Sequence, residues 1–201
     1  MVITSMTACL GNDDDNNNYQ IKPLTPTEKA AQMLDMSGEY NGKLYFINDT
    51  TFVNDSVNIS WSVNAFDSIM TIRNFPVRVL ANGISEPITR TLLLSGGEFD
   101  MRAMLHPYAN NFKTEGHYTF YMLPIDYTAS FSIIDGEKTH SGTVTFTSQM
   151  TAYSSYAQES IFYATGEYYQ RQFAGYLLIK SVSVDDLSYI TGRTCMVYGK
   201  K

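Results

Sequence analysis

The chain has 201 residues, enough for one domain of ordinary to large size with a real core. A formal net charge of −6 argues against binding nucleic acid or an anionic membrane through a basic face, and no apolar run reaches the ~18 residues of a membrane-spanning helix. Only 17% of residues are charged, while fifteen tyrosines and eleven phenylalanines, with abundant Thr, Ser and Val, favour strands.

Near its start the chain carries Met6-Thr7-Ala8-Cys9, then Leu10-Gly11-Asn12-Asp13-Asp14-Asp15-Asn16-Asn17-Asn18. Small residues before a cysteine are what a bacterial lipoprotein signal presents to its peptidase. The polar, acidic run that follows cannot bury enough apolar surface to fold. Residues 1–9 are therefore read as the remnant of a signal peptide with its lipobox. Residues 10–24 are read as a disordered tether rich in Asp and Asn, and residues 25–201 as a single mainly-β domain. Only eight residues precede Cys9, too few for a charged region plus a full apolar region, so the natural start is expected further upstream. As a flexible coil the tether spans on the order of 20 Å.

Asp13, Asp15 and Asn17 have the spacing that opens a calcium loop, but Asn18 and Leu24 stand where Gly and Glu are needed. No metal is expected there. The same is true of Cys9 and Cys195, which form no zinc-type spacing. Cys195 sits beside Met196 and Val197 and reads as an inert core thiol.

Met6-Thr7-Ala8-Cys9 resembles a lipobox with Met6 in place of Leu. The run Asp13, Asp14, Asp15 resembles the export tag of surface lipoproteins from Bacteroides-like bacteria. Leu24-Thr25-Pro26-Thr27-Glu28-Lys29-Ala30 and Ser37-Gly38-Glu39-Tyr40-Asn41-Gly42-Lys43-Leu44 resemble the opening of a family of such lipoproteins of unknown function. The resemblance implies lipid attachment at Cys9, an outer-membrane anchor and display at the cell surface. Display toward the periplasm is the alternative. It implies no catalytic residue.

Thr25 to Asp35 is the first predicted helix. Thr25 caps it, Glu28 closes a capping box, Pro26 takes the first helical position, and Ala30, Met33 and Leu34 form the apolar face. Glu39 to Ile47 follows as a strand with Tyr40, Gly42, Leu44 and Phe46 on one side. Its glycines superficially resemble a P-loop, but the spacing is one residue short and no helix follows, so nucleotide binding is not expected.

Ser56 to Asn64 has the cleanest strand pattern. Val57, Ile59, Trp61 and Val63 alternate with polar residues, which gives one buried face and one wet face. Asp67-Ser68 turns the chain into Ile69 to Arg73. Phe75 to Ser95 then reads as a helical insertion. One short turn starts at Pro76, and a second helix is capped by Ser85 and stopped at Gly96-Gly97.

Further strands are predicted at Phe99–Leu105, His117–Leu123, Tyr127–Ile134, Thr139–Thr147, Ile161–Tyr169, Phe173–Val184 and Thr194–Tyr198. Asp135-Gly136 between alternating runs marks a hairpin. About nine or ten short strands with two minor helices predict a mainly-β, antiparallel two-sheet β-sandwich with a short N-terminal helix and a helical insertion. A lipocalin-like β-barrel is the alternative.

No G-x-S-x-G elbow and no H-E-x-x-H motif occurs. His106 precedes Pro107 in an expected turn, and His117 and His140 flank strands. Glu98 with Asp100, and Asp185 with Asp186, are carboxylate pairs expected to be solvated. No catalytic residue and no cofactor are therefore assigned. Tyr153, Tyr156, Tyr163, Tyr168, Tyr169 and Tyr176 crowd one stretch, and some of these rings are expected to be exposed. Aromatic faces with polar edges suit glycans and protein partners. The sequence thus favours a membrane-anchored, non-catalytic binding module taking a glycan or an envelope protein. A glycan hydrolase and a carrier of an apolar ligand are the alternatives.

Overall fold

The computed structural model describes residues 22–48, 53–110, 114–153 and 159–201. Helix α1, Pro26–Met36, begins with the predicted capping box: the Thr25 hydroxyl accepts from the Glu28 amide, and the Glu28 carboxylate accepts from the Thr25 amide. Its buried face differs from expectation. Met33 and Met36 are buried, while Leu34 is 69% exposed and Ala30 is exposed. The helix faces the core through Met33 and Met36, one turn apart, and Leu34 lies on the far side of that line.

Strands β1 (Gly38–Asn48), β2 (Val53–Asn64) and β3 (Ile69–Pro76) form an antiparallel meander. β2 buries Val57, Ile59, Trp61 and Val63, as its alternation requires. A single 3-10 turn, Val77–Ala81, and helix α2, Pro87–Leu94, make up the helical insertion. Glu86, not Ser85, caps α2, because its carboxylate reaches the amides of Ile88 and Thr89 at 3.0 and 2.6 Å.

Strands β4 (Glu98–Tyr108), β5 (Tyr118–Pro124), β6 (Thr128–Asp135) and β7 (Lys138–Thr147) follow. β8 (Gln149–Tyr153) and β9 (Glu159–Tyr163) form a separate two-stranded sheet. β10 (Thr165–Tyr169), β11 (Gln172–Val184) and β12 (Leu187–Lys200) complete the chain. The expected turn at His106-Pro107 is absent, since both residues lie within β4, where Pro107 is buried opposite Phe120.

The predicted strand Ile161–Tyr169 is divided at Ala164. The Ala164 amide donates to Ser148 while its carbonyl accepts from Met122, so the chain changes partners there. In an antiparallel ladder the N–H and C=O of one residue point to the same neighbour, so a residue that bonds two different neighbours marks the end of one strand and the start of the next.

Ten strands form one antiparallel sheet in the order β10-β5-β4-β3-β2-β1-β12-β11-β7-β6, and β10 pairs with β11 as well. This closes a ring of strands consistent with the expected β-sandwich. β11 is shared: Gln172 to Gly175 pairs with β10, and Leu178 to Val184 with β7. Two aromatic clusters fill the interior. Tyr40, Trp61, Phe120 and Phe173 form one, and Phe75, Phe99, Phe131 and Phe146 the other. Gly199 is required by the first cluster, because a Cβ there would lie 2.5 Å from the Trp61 ring.

Candidate functional site: a tyrosine-walled groove

Strand parity decides which tyrosines face solvent. Phe173 and Gly175 point inward on β11, so Ala174 and Tyr176 point outward. Tyr168 is 3% exposed and stacks inside on Tyr118 at 5.9 Å, which removes it from the predicted binding surface. Tyr169, one residue on, faces out and lies 5.1 Å from the His117 ring. Tyr163 and Tyr176 are 49% and 45% exposed. Tyr153 stands in β8. Tyr156 lies outside the described residues, as do Cys9, Asp13, Asp14 and Asp15.

Cross-strand pairing brings distant rings to this outer face. Tyr121 on β5 lies 4.6 Å from Tyr108 on β4 and 6.3 Å, edge-on, from Tyr163. Between these strands and β12 runs a groove of about 630 Å³. Thr119, Thr165 and Ala174 supply small floor residues, while Tyr108, Tyr176 and Met196 supply bulk. Glu167 also lines it, and its carboxylate lies 3.2 Å from His117 Nε2. The floor is ordered by hydrogen bonds: Asn110 donates to the Thr119 hydroxyl, which donates to the Tyr108 carbonyl, each at 3.1 Å. The volume falls within the ~300–1,000 Å³ of ligand sites.

Tyr108 and Tyr121 lie 45 and 32 residues before Tyr153, where the tyrosine-rich stretch begins, so proximity in sequence does not join them to it. The alternation in β5 did place Tyr121 opposite Tyr118, Phe120 and Met122, and that is the signal that identifies it as outward.

Inside the ring the tyrosines are structural. Burial pushes the Tyr118 hydroxyl up to about 12 and raises that of Tyr168. The Tyr40 hydroxyl donates to the Met36 carbonyl and is also raised by burial. Cys195 is buried, and desolvation pushes its thiol to about 12, which keeps it a thiol rather than a nucleophilic thiolate at neutral pH.

His140 Nδ1 bonds the Asp185 carboxylate, an arrangement found in hydrolytic triads. Ser141 is the next residue along β7, so its side chain points to the opposite face of the strand. The His140 hydrogen bond and the Ser141 amide hold Asp185 below the usual carboxylate range, so it is suited to accepting hydrogen bonds rather than donating a proton. Glu98 and Asp100 both point outward on β4. Among the described residues no three His, Cys, Asp or Glu side chains are grouped to hold a metal ion. A smaller cavity of about 190 Å³ lies elsewhere, between Phe46, Leu80, Ile179 and Cys195. No helix among the described residues is long and apolar enough to cross a membrane.

No curated protein and no solved structure matches this chain. A family model described as a domain of unknown function, DUF4840, matches residues 35–173, from the end of α1 to the start of β11. That is more than half of the chain, and the protein belongs to the DUF4840 family.

Proposed function

We propose that this protein is a non-catalytic binding module of the bacterial cell envelope, held at the outer membrane by a lipid on Cys9 and facing the cell surface. The Met6-Thr7-Ala8-Cys9 pattern and the Asp13-Asp14-Asp15 run support the anchor and its export. The groove walled by Tyr108 and Tyr176 carries the binding reading. Rigid aromatic rings beside threonine hydroxyls and a carboxylate match the two sides of a sugar ring, apolar C–H face and hydroxyl edge. A glycan is therefore the favoured ligand, with an envelope protein as the second class.

Immobilised glycans and cell-envelope extracts, screened against wild type, Tyr108→Ala and Tyr176→Ala, test this reading. Each truncation should weaken binding by about 1 kcal/mol or more, because a few aromatic anchors dominate recognition. The Tyr176→Ala melting temperature should stay near wild type, since its ring is 45% exposed. A wild type that retains no ligand, or variants that bind as well as it does, would remove the reading.

A further inference from the structure

Outward side chains continue the tyrosine groove onto neighbouring strands. Ala174 on the groove floor stands opposite Tyr198, Tyr198 opposite Lys43, and Lys43 opposite Asn58. Strands lie ~4.8 Å apart, so Lys43 follows Ala174 by about 10 Å around the sheet. The Tyr198 hydroxyl donates to Gln172 at 2.7 Å, which holds that ring in place between the two regions. In the adjacent row Asn41 faces Ser60, and Ser60 faces Arg73.

Asn41, Lys43, Asn58, Ser60, Arg73 and Glu98 line a trough of about 630 Å³. A β-bulge between Ile72 and Phe75, with Asn74 at φ 62°, interrupts the ladder just after Arg73. Bulges redirect side chains in this way and are common beside functional sites. Lys43 and Arg73 are exposed, and neither makes an ion pair among the described residues. Two unpaired cations on one trough stand out in a chain of net charge −6. The amides and hydroxyl between them offer both donors and acceptors, and Glu98 at the start of β4 contributes one carboxylate against the two cations, which leaves the trough net positive.

We infer that this trough is a subsite for the carboxylate groups of an acidic glycan whose sugar rings occupy the adjacent tyrosine-walled groove. The inference rests on the glycan reading of that groove. Arg73 supplies a planar fork that matches a carboxylate, and Lys43 supplies a mobile point charge. Asn41, Asn58 and Ser60 suit the hydroxyls that flank the acid on a sugar.

Affinity electrophoresis in gels containing polygalacturonate, hyaluronan or alginate tests the subsite, with fully methyl-esterified polygalacturonate as the uncharged control. At least one acidic polymer should bind wild type about 5-fold or more tighter than the ester, and salt should weaken only that excess. Lys43→Ala and Arg73→Ala should each reduce acid binding by about 3- to 10-fold and leave ester binding and melting temperature unchanged. Tyr176→Ala should weaken acid and ester alike.

Equal retention by acid and ester, no retention by any of the three acidic polymers, or full acid binding by both cation variants would each overturn the inference. If esters bind through Tyr176 with no preference for acids, only this subsite fails. If Lys43→Ala abolishes acid binding while Tyr176→Ala changes nothing, the groove reading fails, and with it the inference that the trough serves a glycan seated in that groove.

Discussion

The Tyr40 and Trp61 rings stack with centroids 5.3 Å apart and planes within 3° of parallel. The two residues stand directly opposite each other on β1 and β2, and the Tyr40 hydroxyl ties the pair to the last turn of α1. Trp61 is 2% exposed, and its Nε1 has no hydrogen-bond partner among the described residues. Trp61→Ala should therefore cost about 3–5 kcal/mol in urea unfolding. Trp61→Phe should cost clearly less, because it keeps an aromatic ring in the stack and removes a buried donor whose desolvation costs ~1–3 kcal/mol. Equal losses for the two variants would mean that the indole N–H is used after all.

Tyr168 and Tyr169 are neighbours in sequence on opposite faces of β10. Tyr168 sits in the core against Tyr118, whereas Tyr169 is half-buried beside His117. Tyr168→Ala should lower stability by about 3 kcal/mol, in the range for removing a buried aromatic ring. Tyr169→Ala should cost much less. Thermal melts of the two variants decide this, and a larger drop for Tyr169→Ala would contradict the assigned faces.

Asp185 gives the turn between β11 and β12 a pH dependence. Its carboxyl is held below the usual range, chiefly by the His140 hydrogen bond and then by the Ser141 amide. A depressed folded-state value adds stability above the unfolded value of ~3.9 and loses it as pH falls through the folded value. Asp185→Asn should remove that contribution while keeping the backbone at φ 45°, which Asn tolerates well. Melting curves of variant and wild type, from about pH 7 to about pH 2, should differ most at the neutral end and converge in acid. A constant offset across the range would show that the charge on Asp185 is not responsible.

The anchor is tested in a full-length chain with its complete signal. Cys9→Ala should abolish labelling by a fatty-acid analogue and release the protein from membranes. Replacing Asp13, Asp14 and Asp15 together by Ala should leave labelling intact and reduce protease accessibility on whole cells. Labelling that survives Cys9→Ala would remove the lipid anchor, and equal protease shaving of tagged and untagged chains would remove the export role.

Local chemistry made several elements legible in the sequence alone. The Thr25–Glu28 capping box and Pro26 define the start of α1, and the alternation from Val57 to Val63 defines both β2 and its buried face. These signals need only neighbours three residues apart or a period of two, so no knowledge of the partner strand is required. The mainly-β class follows from repeating them along the chain.

Partner choice was decided by the tertiary structure. Nothing local indicates that Ala164 hands the chain from β8 to β5, or that β12 returns to pair with β1. The same long-range pairing drew Tyr168 into the core and brought Tyr108 and Tyr121 beside Tyr163. A period-two pattern separates the two faces of each strand, whereas which strands lie side by side depends on contacts made after the whole ring has closed. That is why the sequence pointed to exposed tyrosines, and only the assembled sheet made a groove from them.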